Sequence, residues 1–184
     1  MLHPYKRIAF LLLLLFSTSH TFSQLFNSTV GIVSFRSDAP LELIKASSKE
    51  MRGKLDVAKK TFAFTVKVRS FDGFNSPLQK EHFNENYLES NQYPDAYFSG
   101  KIIEDIDFTT DGTYSVRAKG ILFVHGVTQE RIIKSSITIK NGNLKIVSNF
   151  TIQLIDHNIP IPKVVHEKLA SEINVEVTAD MTAR

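Results

Sequence analysis

Imidazoles are the side chains best suited to bind a metal or move a proton near neutral pH, and four of them lie beyond residue 23: His82, His125, His157 and His166. No two stand at the i, i+4 spacing that sets a metal pair on one helix face, and none has a neighbouring histidine to complete a zinc triad. Asp156 and His157 are adjacent, which on an extended strand sends their side chains to opposite faces. The chain has no cysteine, so thiolate metal sites, disulfides and cysteine nucleophiles are all excluded. It also lacks a G-x-S-x-G elbow and a G-x-x-x-x-G-K-[ST] phosphate loop. The carboxylate pairs Asp105/Asp107 and Glu81/Glu85 read as the solvated side of a loop and of a helix. Catalysis, a bound metal and a cofactor are therefore not expected. A hydrolase or isomerase that uses His125 or His157 with a nearby Asp is the weakest of the alternatives.

Charge narrows the partners. Lysine and arginine number 22 against 19 acidic residues, and setting aside Lys6 and Arg7 leaves 22 − 2 = 20 against 19. With the basic residues interleaved among acids, there is no electrostatic footprint for nucleic acid. Lys6 and Arg7 precede the unbroken apolar run Ile8 to Phe16, and Thr21-Phe22-Ser23 places small residues at the two cleavage-recognition positions. Residues 1–23 are thus expected to be a signal peptide, with 24–184 as one domain delivered to the periplasm or secreted. The apolar run is about half of the ~20 residues a membrane-spanning helix needs, and no second run follows.

The elements that would position any site read as strands. Thr61 to Ser70 alternates Phe62, Phe64, Val66 and Val68 against Ala63, Thr65, Lys67 and Arg69. The same period returns in Gln129 to Lys140 (Ile133, Ile137, Ile139, interrupted by Ser135), in Leu144 to Leu154 (Leu144, Ile146, Phe150, Ile152, interrupted by Ser148) and in Ile173 to Ala179. Further strands are expected at Thr29 to Phe35, Glu42 to Ser48, Met51 to Val57, Tyr97 to Ile103 and Thr113 to Phe123. Asn141-Gly142 and Asp111-Gly112 are hairpin turn signals, which imply antiparallel neighbours. Leu78 to Ser90 is the helical stretch, and Val164 to Ala170 suggests a second short helix. The sum is an all-β domain of about eight or nine strands with a short helical insertion, either two packed sheets or a closed barrel.

In a barrel the apolar faces converge, which places Phe64, Val66, Phe98, Leu122, Ile133, Ile137, Phe150 and Ile152 inside. Phe71, Phe74, Phe83, Tyr87, Tyr93, Tyr97 and Phe98 crowd the region around the helix. They either seat the insertion as a satellite cluster or form a lid, with Phe83 and Tyr87 near the mouth of a cavity. The interior is correspondingly either a core filled by its own side chains, giving a structural or interaction domain, or a pocket.

Three segments carry a resemblance. Phe83-Asn84-Glu85-Asn86-Tyr87-Leu88-Glu89-Ser90 leads to Tyr93-Pro94-Asp95-Ala96-Tyr97-Phe98-Ser99-Gly100; Gly120-Ile121-Leu122-Phe123-Val124 runs into His125-Gly126-Val127-Thr128; and Phe150 to Leu154 runs into Ile155-Asp156-His157-Asn158-Ile159. Together with Gly53-Lys54-Leu55-Asp56 and the Phe62/Phe64 alternation, this ordered set is similar to the YceI-like family over nearly all of residues 24–184. The resemblance implies a lipocalin-like, extended antiparallel β-barrel of about eight strands, exported by bacteria, with a polyisoprenoid or similar long-chain amphiphile in its interior. The chain departs from the family where Val33-Ser34-Phe35-Arg36-Ser37-Asp38-Ala39-Pro40 replaces a His-rich opening, and where His157 stands in place of a frequent Tyr. Transfer of a CH₂ from water contributes roughly 0.8 kcal/mol, against an association cost of about 4–15 kcal/mol, so a long tail suits such a cavity better than a small metabolite. A homodimer is left open.

Overall fold

The computed structural model describes residues 24–184, so the expected signal peptide, residues 1–23, lies outside the described residues. The strands are β1 (Leu25–Asp38), β2 (Leu43–Ser48), β3 (Arg52–Asp56), β4 (Thr61–Lys67), β5 (Asp95–Ile102), β6 (Gly112–Val124), β7 (Val127–Lys140), β8 (Asn143–Gln153) and β9 (Glu172–Ala183). All strand pairings between named strands are antiparallel, and β1 closes onto β9 from Phe26↔Ala183 to Ser37↔Ile173 to complete an eight-stranded barrel. The ninth strand, β2, does not add a stave. One edge of β1 pairs with β3 at Leu25–Asn27 and with β2 at Val33–Asp38, so β2 and β3 share that edge in succession. Closure pairs both edges of the eight staves, and β2, which pairs with β1 alone, is capped on its outer side by the Ser47–Asp72 bridge.

Alternation decides which faces point in. Phe62 and Val66 of β4, Val116, Ala118 and Leu122 of β6, Ile133, Ile137 and Ile139 of β7, and Leu144, Ile146 and Ser148 of β8 are buried, while their sequence neighbours face outward. Gly100 of β5 and Gly120 of β6 face each other across the ladder, and a Cβ on Gly120 would lie 2.2 Å from the Ser99 carbonyl oxygen. The strands coil so tightly there that only glycine fits.

The connections follow the sequence expectation in one place and depart from it in others. Asn141-Gly142 is the expected tight turn, with φ of 50° and 72°. Asp111-Gly112, however, makes no hairpin: β5 and β6 are joined by residues 103–111, and the Asp111 carboxylate instead accepts from the Asn141 N–H at 3.0 Å, tying that loop to the neighbouring hairpin. Within the loop, the Thr109 and Thr110 hydroxyls and the Thr109 N–H hold the Asp107 carboxyl down at about 2. The second tight turn is His125-Gly126, with φ of 51° and 75°, where a histidine takes the left-handed position usually given to Asn.

The expected helix Leu78 to Ser90 is divided. Helix α1 (Pro77–His82) starts with Ser76 accepting from the Gln79 N–H at 3.2 Å and with Pro77 in the first turn. A π-helical turn, Phe83–Tyr87, follows, and the chain leaves it at Leu88, ahead of Glu89 at φ 43°. Phe83 and Tyr87, four residues apart, share one face of this turn, and both pack against the barrel core. Val164 to Ala170 is not a helix either. Regular structure there is a 3₁₀ turn, Lys163–Val165, followed by turns closed by the Lys168 and Leu169 N–H groups on the Val165 carbonyl oxygen. The strand expected over Thr61 to Ser70 ends at Lys67 and passes into a 3₁₀ turn at Val68–Ser70.

The topology makes the two ends unlike. At one lie the β3–β4 turn, the 103–111 loop, the Asn141-Gly142 hairpin and the start of β1. At the other lie the β1–β2 turn, the whole insertion from Phe71 to Pro94, the His125-Gly126 hairpin and the segment from Leu154 to Ser171. This second end is the mouth. The Leu154–Ser171 segment is strapped over it by Leu41 N–H to the Glu167 carbonyl and by Ala170 N–H to Ser37 Oγ, both 2.9 Å.

Candidate functional site

The barrel is filled at the closed end and hollow toward the mouth. Phe26, Ile139, Leu144, Ala179 and Met181 are all at most 2% exposed and interdigitate as a plug. Above it lies a cavity of about 530 Å³, within the range of small-molecule pockets. Its floor is Leu55, Ile137 and Ile146, and its walls rise through Val33, Phe62, Phe64, Val66, Phe98, Leu122, Ile133, Phe150, Ile152, Val175 and Val177. All eight strand residues expected inside, Phe64, Val66, Phe98, Leu122, Ile133, Ile137, Phe150 and Ile152, border this space, as do Phe83 and Tyr87. Ile137 differs from the rest in position, because it is floor and touches the plug.

The roof is aromatic. Phe83 stacks on Phe35 of β1 with centroids 5.3 Å apart, and Phe74 and Phe71 tilt against Phe83 at 5.0 and 5.8 Å. The cluster seats the insertion on β1 and, with Tyr87 and Leu88, also borders the hollow. Phe35 was the member the sequence expectation missed, although Val33 and Phe35 keep the period of an inward face. Burial pushes the Tyr87 phenol up, which keeps it neutral. The cavity reaches the surface past Ser76, Leu78, His82 and Lys168, which are exposed.

The histidines near the mouth tie loops together. His125 places Nδ1 2.9 Å from the His157 carbonyl oxygen and Nε2 3.1 Å from a Glu89 carboxylate oxygen, with the Tyr93 ring packed edge-on at 5.1 Å. Three mouth segments, the insertion, the β6–β7 hairpin and the Leu154–His157 turn, are thereby linked through one ring. His157 itself is fully buried, with Nδ1 3.3 Å from the Val124 carbonyl oxygen and Nε2 without a partner among the described residues. Neither ring is aimed at a nucleophile in the cavity, and Asp156 points out to solvent. Among the described residues no group of three or more His, Asp or Glu could hold a metal ion.

Burial pulls the His157 pKa below its ordinary 6.5 against weaker opposing hydrogen bonds. The unfolded chain therefore binds a proton that the folded chain refuses as pH falls from 6.5 toward the folded value, and stability is lost across that window. In His157→Phe this loss is absent. The difference in melting temperature between wild type and variant is accordingly expected to shift in favour of the variant as pH is lowered from 7.5 to 5. A difference independent of pH would show that His157 is not buried neutral.

Comparison with solved structures places this architecture. The chain is similar to a polyisoprenoid binding domain from Saccharophagus degradans implicated in plant cell wall breakdown, with a TM-score of 0.74, 11% identity and coverage of 86% of this chain and 98% of that one. It is similar also to Burkholderia cenocepacia BcnA, with a TM-score of 0.68, 16% identity and coverage of 82% and 95%. A Campylobacter jejuni YCEI protein matches with a TM-score of 0.55, 18% identity and coverage of 71% and 77%. At identities this low, the likeness shows a shared fold and nothing more. A search of curated proteins finds no significant match. The match extends to the sequence itself: the model of the YceI-like domain matches residues 16–183, and the chain belongs to that family.

Proposed function

We propose that this protein is an exported carrier or store that holds a long-chain, polyisoprenoid-like amphiphile with its tail in the barrel cavity. The observation that carries the reading is the hollow half of the barrel. A structural barrel has no use for unfilled apolar volume, since each unfilled space forfeits packing that a larger side chain would supply. In this reading Phe64, Val66, Phe98, Leu122, Ile133, Phe150 and Ile152 grip the tail, Ile137 sets its depth, and Phe83 and Tyr87 cover it. Membership of the YceI-like family, and a structural neighbour described as a polyisoprenoid binding domain, support it.

The test is chain length. Delipidated protein titrated with a homologous series of single-chain amphiphiles should bind about fourfold more tightly for each added CH₂, at roughly 0.8 kcal/mol each, until the cavity is full and the gain stops. Uptake independent of chain length would contradict burial of the tail. Export is checked separately. Protein recovered from the cell envelope or medium should begin at or near Gln24, and recovery there of chains that still begin at Met1 would overturn the assignment of residues 1–23 as a cleaved leader.

A further inference from the structure

Two serines break the apolar faces of β7 and β8, and the register brings them together. Ser135 pairs with Ser148 across the ladder, and their hydroxyls are 2.7 Å apart. Both border the cavity, one layer above the floor formed by Ile137 and Ile146. The same layer continues into Val116 on one side and through Val177 to Val33 on the other, so the pair is set in a ring of valines. Ser148 is only 8% exposed.

A hydroxyl has one proton to donate and two lone pairs to accept. One proton is used within the pair. The other has no acceptor among the described residues, and the space it borders is the cavity. A hydroxyl in an apolar enclosure with an unmade hydrogen bond carries a desolvation penalty that a ligand oxygen can remove. The cavity bottom holds no cation to balance a phosphate or carboxylate; Lys168, by contrast, is at the mouth.

Resting on the reading of the cavity as a lipid site, we propose that Ser135 and Ser148 form a polar anchor for an uncharged oxygen, a carbonyl or hydroxyl, carried by the inserted part of the ligand. The preferred occupant is then an oxygen-bearing chain that enters oxygen first or carries the group near its buried end, while any charged head stays at the mouth. A pure hydrocarbon tail fills the same volume but leaves the spare proton unpaired.

The experiment compares two probes, n-tetradecane and the methyl ketone of the same chain length, on delipidated protein supplied from detergent micelles and read by native mass spectrometry. Wild type, Ser135→Ala, Ser148→Ala and the double variant are run side by side; the ratio of ketone to alkane, compared between proteins, cancels how each probe partitions into micelles. Alanine keeps the face apolar, and a melting curve on each variant confirms that the barrel is intact. The ketone preference is expected to fall about threefold to tenfold in the double variant while alkane uptake is unchanged or slightly higher. Uptake of both probes with the same ratio in all four proteins would overturn the anchor and leave the lipid cavity standing. Failure of wild type to take up either probe would overturn both. Each single variant keeps one hydroxyl with an unused proton and is expected to retain the preference; should the double Ala variant unfold, Ser135→Val/Ser148→Val, which continues the ring of valines, carries the same comparison.

Discussion

Phe26→Ala should be among the most damaging single truncations in the chain, lowering stability by about 3–5 kcal/mol, whereas Phe98→Ala in delipidated protein should cost only about 1–2 kcal/mol. The two differ in surroundings, not in chemistry. Phe26 is 1% exposed, pairs across the ladder with Leu55 and sits in the plug, so removing its ring opens a void closed on every side. Phe98 borders the hollow, with its ring 5.0 Å from Phe62, and has packing to lose on one side only. For a domain of this size the larger loss corresponds to a drop in melting temperature of roughly 10 °C. Equal losses at both positions in urea or thermal unfolding would mean that the barrel is uniformly filled and that no cavity exists in solution.

Enlarging a wall residue should have the opposite profile. Leu122→Trp directs an indole into the space that a tail would occupy, and the expected result is near-complete loss of bound amphiphile with less than about 1 kcal/mol of destabilisation, because the hollow accommodates the ring. Leu122 is suited to this because it pairs with Phe98 partway up the wall, away from the plug. Ile137 is not. As floor, 1% exposed, it has the plug directly beneath it, and Ile137→Phe overpacks the closed end at a typical cost of about 1–3 kcal/mol whether or not a ligand binds. Retention of ligand by a folded Leu122→Trp protein would place the tail somewhere other than this cavity.

The inward faces of β4, β8 and β9 are legible in the sequence because one face of each is buried, and a one-residue slip would turn its whole apolar set outward. The aromatic roof is legible in part: the crowding of Phe71, Phe74 and Phe83 announces a cluster, but Phe35 lies far away in sequence and joins it only through the fold. Three features depend on register or on long-range contact and have no local signature. Asp111-Gly112 has the composition of a hairpin, yet its carboxylate is used by the Asn141 N–H of another turn. The boundary between plug and cavity separates Ile137 from Ile139, two residues of the same type on the same face. Ser135 and Ser148 look like separate lapses in two strands, and become a hydroxyl pair only when the strands are aligned. His157, adjacent to an aspartate, looks reactive on paper; burial makes it neutral and its carbonyl holds His125.

The measurement that bears most directly on the central claim is the native mass of the protein purified from its own cells without organic extraction, taken for wild type and Leu122→Trp together. The expected result is a wild-type population heavier than the polypeptide by one lipid-sized ligand that collisional activation or solvent removes, and a Leu122→Trp population at the polypeptide mass. Wild-type protein at the bare polypeptide mass that also takes up no amphiphile from micelles would contradict it.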